Sequence, residues 1–400
     1  MLRTQALPPE DPGAGDGVGE VYLDYNASSP LDPRVAEAMM PILTDGVGNA
    51  SSVHRFGRRQ AAAVDDAREH VAALVGGRAS GVVFTSGATE ANNLALQGAV
   101  EASPGGRQRM LVSAVEHASV AGTARLLADY GLVKLDVIEV TSGGFVEPAI
   151  VEEMLRDDIV LVSVMAANSE TGVLNPVGEI AERVRATGAL FHCDATQMAG
   201  RLPFNMEALG VDLVSLSGHK ICGPGGVGAL VGTRQSLRRL EALLHGGGHE
   251  RGLRSGSLNV AGIVGFGAAA RIAAEEREQE SETVGALRDR FVSELQATLP
   301  RVLQNGDPSR RLPNTANLCF VGADAEAVMA NMDPVAVSIG SACSAGSIEP
   351  SAVLLAMGRS HETAFESVRF SLGRFTTQGD IDLTLQRTVT AVEYVRIMTG

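Results

Sequence analysis

The sequence predicts an α/β protein, with a large domain built on a mostly parallel sheet and a smaller α+β domain behind it. Two observations carry this reading. Between residue 21 and about residue 260, short apolar runs alternate with stretches of helical periodicity. Apolar runs of strand length separated by helices mark a parallel sheet covered on both faces. Beyond 261 the alternation stops, and a long helical stretch leads into short strands and helices without that order.

In chain order, residues 1–20 include PPEDPGAGDGVGE, which has almost nothing to bury and reads as a disordered extension. Order begins at the apolar run Val21-Tyr22-Leu23. Over 59–75, Val64, Ala67, Val71, Leu74 and Val75 share one helical face, and Gly76-Gly77 stops the helix. Residues 82–85 form a short strand, and TEANNLALQGAV a helix. Residues 110–115, 134–140, 159–166, 189–195 and 212–217 are further strands, with helices at about 119–130, 148–156 and 177–187. Residues 261–299 form one long helix, or two with a break, and the charged middle EEREQESE is a solvated face. The division expected is 21–264 for the large domain and 265–400 for the small one. The small domain has strands at 314–321 and 367–373 and helices at 324–332 and 381–398.

Composition sets outer limits. Thirty-three basic residues against 47 acidic ones give a formal net charge of −14, which argues against broad binding to nucleic acid or anionic membrane. Four cysteines without regular spacing are not a disulfide framework, so any that matters acts as a thiol. No apolar run reaches the roughly 18 residues of a membrane-spanning helix, and no apolar leader precedes Pro8-Pro9. The expected compartment is a reducing cytoplasm.

Five places could carry chemistry. Lys220 follows the strand 212–217 in Ser217-Gly218-His219-Lys220, and ligands of open α/β sheets sit at such strand ends. A lysine there can join a carbonyl cofactor. The plainer reading is a loop lysine, but the chain has only two lysines, 134 and 220, among 33 basic residues. Asp194, with Gln197 three residues on, ends a strand and either pairs with a protonated ring nitrogen or caps the next helix. Thr85-Ser86-Gly87-Ala88-Thr89-Glu90 lies between strand and helix and either cradles a phosphate on free amides or simply caps. His117, after Glu116, either meets a flat cofactor or is a satisfied loop histidine. Cys343 sits in the small, polar run 338–347, where a thiol is exposed and reactive. Cys193 and Cys319 lie in strand-like runs and read as packing residues, while Cys222 stays ambiguous. His245 and His249 flank three glycines and make no helical ligand pair, so no metal site is expected.

Nine motifs fall in order along nearly the whole chain: SSVHRFG (51–57), SGATEANN (86–93), EH (116–117), NSETG (168–172), HCDATQ (192–197), SGHK (217–220), GGGHERGLRSGSLN (246–259), GSAC (340–343) and VRFSLGR (368–374). Together they resemble the pyridoxal-phosphate cysteine desulfurases of the NifS/IscS type, class V aminotransferase relatives of fold type I. That resemblance implies a seven-stranded, mostly parallel sheet, with the first residues of the large domain packed against the small one. It implies that Lys220 holds pyridoxal 5'-phosphate covalently, that Asp194 pairs with the ring nitrogen, that Gln197 reaches the phenolic oxygen and that His117 stacks on the ring. Ala88, Thr89, Ser217 and His219 would bind the phosphate. Ser257 stands where the family usually has a threonine that reaches the partner subunit's phosphate, which implies a homodimer. Asn168 and Arg369 would bind the carboxylate of L-cysteine, with Asn26 nearby.

Lys220 and His117 would carry protons, and Cys343 would take the sulfur as a persulfide, releasing alanine. The run SACSAGS departs from the family's commoner SACTSAS and keeps the nucleophile. The sulfur would pass to an acceptor protein, for iron–sulfur assembly or transfer-RNA thiolation, with DNA phosphorothioate modification as the alternative and no direct grip on nucleic acid. Rival activities are a selenocysteine lyase, a desulfinase or an aminotransferase that shares Lys220 and Asp194 but has no use for Cys343. A silent sulfur-relay scaffold is the rival of a different class.

Overall fold

The computed structural model describes residues 19–103, 106, 108–339 and 349–399. The N-terminal extension up to residue 18 and the Cys343 segment, 340–348, lie outside the described residues. The strands are β1 Val21–Tyr22, β2 Val82–Thr85, β3 Arg109–Ser113, β4 Lys134–Ile138, β5 Ile159–Ser163, β6 Leu190–Asp194, β7 Leu213–Ser217, β8 Gly228–Gly232, β9 Val302–Gln304, β10 Thr315–Phe320, β11 Val335–Ala336 and β12 Ser367–Ser371. Seven form one sheet in the order β2-β8-β7-β6-β5-β3-β4. Only β8 is reversed, pairing antiparallel with both β2 and β7. The mostly parallel α/β architecture is therefore as the sequence predicts.

Period-two alternation explains how the sheet is buried on both faces. Phe84, Leu111, Val162, Phe191, Val214 and Val231 point into one core, shared with the helices Arg55–Leu74 and Val177–Arg185. Val83, Met110, Leu161, Leu190, Leu213 and Leu230 point into the other, under the helices Ala88–Glu101 and Ala118–Asp129. The helix Arg55–Leu74 ends where Gly76 takes φ +62°, a left-handed conformation that glycine adopts without strain.

The second unit packs the antiparallel sheet β12-β10-β9 and the short β1–β11 pair around Phe291, Phe320 and Phe370. Val21 and Leu23 belong to this core, not to the large one. The stretch read as one or two helices is a single helix, Val260–Thr298. Its first half gives Ile263, Phe266, Ala270 and Ala273 to the large core, and its second gives Val284, Leu287, Phe291 and Leu295 to the small one. The change of core falls inside one continuous rod. Ion pairs brace the same joint: Arg374 holds Asp32 at 2.7 Å and Glu280 at 2.9 Å. The guanidinium groups of Arg34 and Arg374 hold the Asp32 carboxyl far below the usual carboxylate range. Among the described residues, no helix is long and apolar enough to cross a membrane.

The long helix lies close to Arg55–Leu74. A Cβ added at Gly267 would come within 2.5 Å of Ala67 Cα, which is backbone and cannot swing away. Gly267→Val should therefore lower stability by about 1–3 kcal/mol, read as a drop in the guanidinium chloride midpoint. An unchanged midpoint would show that the two helices separate freely.

Candidate active site

The site forms at the carboxyl ends of β6 and β7. After β7, a single turn of 3-10 helix, Gly218–Lys220, swings Lys220 back across the strand ends. Its Nζ donates to the carbonyls of Asn26 and Ala27, both at 2.6 Å. Burial lowers its pKa to about 8, helped by the cations Arg201 and Arg369 and opposed by Asp194 and Asp24. An amine with a pKa near 8 keeps a usable unprotonated, nucleophilic fraction at physiological pH, which a solvated lysine does not.

Asp194 ends β6 and is 4% exposed. Asn92 Nδ2 donates to its Oδ2 at 2.8 Å and the Thr196 amide to its Oδ1 at 3.0 Å, so both oxygens are fixed. The helix-cap alternative does not hold, because the next helix begins only at Met206 and is capped by Asn205. Gln197 Nε2 donates to the Asn26 carbonyl at 2.9 Å, the same oxygen that Lys220 contacts. His117 caps the helix Ala118–Asp129, its Nδ1 accepting from the Ser119 amide at 3.1 Å. Ser119 Oγ is 2.8 Å from His117 Nδ1 and accepts from Asn92 Nδ2 at 2.8 Å. A polar chain thus runs from His117 through Ser119 and Asn92 to Asp194.

The helix Ala88–Glu101 begins after Gly87 with no side-chain cap, which leaves the first-turn amides at Ala88 and Thr89 for a ligand. A Cβ on Gly87 would meet nothing within 4 Å, so the space in front is open. Behind, Gly228 fits only as glycine, since its Cβ would lie 2.6 Å from the Gly87 carbonyl carbon. His219 Nδ1 lies 3.2 Å from Ser28 Oγ, and burial, with Lys220 beside it, lowers its pKa to about 4. Ser217 is buried at the end of β7. Ser257 is exposed in this chain, close in sequence to Arg254, which pairs with Glu90 at 2.8 Å.

At the far side, Arg369 on β12 gives Nη2 to Asp24 at 2.6 Å and Nη1 to the Ser169 carbonyl at 3.1 Å, while its Nε is buried without a partner among the described residues. Asn26 and Asn168 differ from it. Asn168 Oδ1 accepts from Glu170 N, Thr171 N and Thr171 Oγ1, and its Nδ2 donates to the Val115 carbonyl. Asn26 is likewise engaged by Ser169, Thr315 and Asn314. Both amides shape the turn around the site. Cys343 lies outside the described residues, but the chain on either side of it is tied to this wall. Ser338 pairs with Arg369 on β12, and Ser351 Oγ donates to Glu170 at 2.5 Å. Cys193, Cys222 and Cys319 are all buried and form no disulfide.

The class V aminotransferase family model matches residues 21–384. The chain belongs to that family. A relative named cysteine desulfurase IscS from Anaeromyxobacter sp. (strain Fw109-5) is 47% identical over 380 residues, covering 95% of this chain and 94% of the relative. A solved NifS-like protein superposes with a TM-score of 0.88 at 33% identity, over 94% of this chain and all of that one. A structure described as SspA in complex with cysteine superposes at 0.79 with 31% identity, over 89% of this chain and all of its own. Enzymes of this family use pyridoxal 5'-phosphate, and the site fits it. The fixed Asp194 carboxylate could pair with a protonated pyridine nitrogen, an uncapped helix start lies open for a phosphate, and Lys220 has a weakened hold on its proton.

Several contributors escaped the sequence reading. Asn92 lies within the motif 86–93 but is not singled out there, yet it is 0% exposed and locks Asp194. His192 carried a usable signal, since period two places it on the face of β6 that Asp194 occupies.

With only two lysines, the amine is directly testable. In cofactor-stripped protein, acylation of Lys220 followed by peptide mass spectrometry should rise with a midpoint near pH 8, with exposed Lys134 as internal control. A midpoint above about pH 10, the ordinary lysine value, would contradict the assigned burial and charge.

Proposed function

We propose that this protein is a cysteine desulfurase: L-cysteine and the Cys343 thiol give L-alanine and a Cys343 persulfide. The Cys343 sulfur forms the S–S bond as the substrate's Cβ–S bond breaks, the electron pair of that bond stays on Cβ, and of the two thiol protons one ends on Cβ as the new C–H and the other on the persulfide. The observation that carries the reading is the partly buried Lys220 amine, its pKa lowered to about 8, at one site with fixed Asp194 and with Arg369, in a chain whose 47%-identical relative bears that name.

Bound pyridoxal 5'-phosphate supplies the electron sink that makes the substrate's Cα–H bond acidic. The protein's residues do the rest. Asp194 keeps a proton on the ring nitrogen, and Asn92 and Thr196 keep Asp194 aimed. Ala88, Thr89, Ser217 and His219 hold the phosphate, with Ser257 completing the site of a second copy in a homodimer. Gln197 holds the phenolic oxygen and His117 covers the ring. Arg369 takes the substrate carboxylate, matched by its planar fork, while Asn26 and Asn168 hold the backbone that frames it. Lys220 Nζ, once released, moves the proton at Cα, and His117 is the second proton carrier. Cys343 then hands sulfur to an acceptor protein, in a reducing cytoplasm that keeps the thiol free. Iron–sulfur assembly or transfer-RNA thiolation is the use proposed.

Purified protein given L-cysteine under reducing conditions should release alanine and sulfide. Cys343→Ala should release neither while keeping the cofactor's visible absorption band, and alanine release at the wild-type rate in that variant would refute the reaction. Arg369→Lys should raise KM for cysteine roughly tenfold or more, since a charge-assisted bidentate contact contributes about 1.5–3 kcal/mol, with a smaller change in kcat.

A further inference from the structure

The phosphate end of the site carries a pair of charges that the reaction above leaves unused. Helices ordinarily start on a Ser, Thr, Asp or Asn whose side chain takes a first-turn amide. The helix Ala88–Glu101 starts on Gly87, which has no side chain to offer. Instead Glu90, the acidic residue of its first turn, bends back, and its Oε2 accepts from the Ser86 amide at 2.7 Å. That is half of a capping box, moved one residue upstream. It serves the amide ahead of Gly87 and leaves those of Ala88 and Thr89 for the ligand. Burial works to raise the Glu90 pKa, but the hydrogen bonds from Arg254 and Ser86 outweigh it and hold it below its ordinary value, so Glu90 is an anion.

An anion on that turn suits an empty helix start and opposes a phosphate on it. Arg254 meets this opposition. Its Nε donates to Glu90 Oε1 at 2.8 Å and its Nη2 to Oε2 at 3.4 Å. The two side chains are only 21% and 17% exposed. Arg254 comes from a loop that is built to hold it. Leu244 and Arg254 form a parallel β-bridge, and the Ser255 amide donates to the Leu244 carbonyl at 3.1 Å. Within the loop, Glu250 is 7% exposed and accepts from both Nη atoms of Arg68, at 2.7 and 2.9 Å, and from the Phe84 amide at 2.7 Å. Phe84 belongs to β2, the strand that runs into Ser86 and Gly87. Glu250 and Arg251 stand at φ +47° and +60°, left-handed conformations that such residues keep only where their surroundings impose them. A strained turn, a buried ion pair and one strand thus fix Arg254 relative to the helix start.

We propose that Arg254 is a positioning residue for cofactor selection: by neutralising Glu90 it lets the helix start accept a phosphate dianion, and so makes the site choose pyridoxal 5'-phosphate over pyridoxal. The inference rests on the reading above that this helix start takes the phosphate. A phosphate ester carries close to two negative charges near neutral pH. Without Arg254 it would share one helix turn, about 5.4 Å in pitch, with an uncompensated carboxylate. Pyridoxal has the same ring and aldehyde but an uncharged hydroxymethyl group in place of the phosphate ester, so the pair does not affect it. Removing the carboxylate instead leaves Arg254 as a surplus cation that attracts the phosphate further. Loss of the cation and loss of the anion therefore act with opposite sign on one ligand, whereas damage to the loop would loosen both.

The test is equilibrium binding of pyridoxal 5'-phosphate and of pyridoxal to the full-length protein freed of cofactor, read by the visible absorption band with no substrate present. Arg254→Gln should weaken pyridoxal 5'-phosphate roughly tenfold or more and pyridoxal less than about twofold. Glu90→Gln, which keeps an acceptor for the Ser86 amide, should tighten pyridoxal 5'-phosphate, and Glu90→Gln/Arg254→Gln should return to within about threefold of the wild type. Equal loss of both ligands in Arg254→Gln would overturn the proposal, as would a double variant no tighter than Arg254→Gln. If Arg254→Gln does not fold, Glu90→Gln decides: tighter phosphate binding supports the pair, and unchanged or weaker binding overturns it. Ala88→Pro separates this proposal from the reading beneath it, since it removes one first-turn amide at the helix position that best tolerates proline. If that variant spares pyridoxal 5'-phosphate, the phosphate reading fails and this proposal with it. If it weakens that ligand alone while Arg254→Gln weakens both, only this proposal fails. No arm involves turnover, so the desulfurase reading can fail while this one stands.

Discussion

One rigid helix decides whether this site exists. Val260–Thr298 contributes to both hydrophobic cores, and at 39 residues it spans about 58 Å. Lys220 and Asp194 belong to the central sheet, whereas Arg369 belongs to β12 in the other unit. The side chains of Ile263 and Phe266 anchor one end and Phe291 and Leu295 the other, so β12 is presented to the central sheet at a fixed distance. The Arg374–Asp32 ion pair secures the same joint from the outside of the site. Arg369 therefore meets Asp24 and the Ser169 carbonyl as a consequence of packing far from the chemistry.

Much of the fold could be read from the sequence because its strongest signals are simple ones. The plainest of the parallel strands are short, mostly apolar runs of five residues, broken by no more than a serine or two, as at Ile159–Ser163 and Leu213–Ser217. β8 escaped notice because Gly-Ala-Leu-Val-Gly is short and bounded by glycine, and the space it fills, beside Gly87, accepts nothing larger. The helix Pro33–Asp45 was hidden by Pro41 in its interior. The long helix was left open between one rod and two, because its charged middle, where it passes from one core to the other, loses the apolar stripe that would show continuity.

The site divides in the same way. Lys220 and Asp194 were legible because reactive residues at strand ends, among small neighbours, have few other uses. Asn92 was not, because a helical asparagine carries no sign of what it will face. Asn168 shows what a motif leaves unsaid. The resemblance implies a part in holding substrate, and the fold adds a second one, since its amide oxygen is shared by three donors that build the turn 168–172. The same turn carries the Ser169 carbonyl that Arg369 contacts.

The scarcity of lysine has a consequence for how the protein matures. Pyridoxal phosphate is an aldehyde and condenses with any unprotonated amine it meets. This chain offers two side-chain amines. Lys134 stands at the outer edge of the sheet, on β4, in contact with solvent. Lys220 alone combines a buried, readily deprotonated amine with an anion-binding helix start and a carboxylate for the ring. Writing nearly every surface cation as arginine removes the competing sites, so the cofactor is sorted to its place by composition as much as by shape.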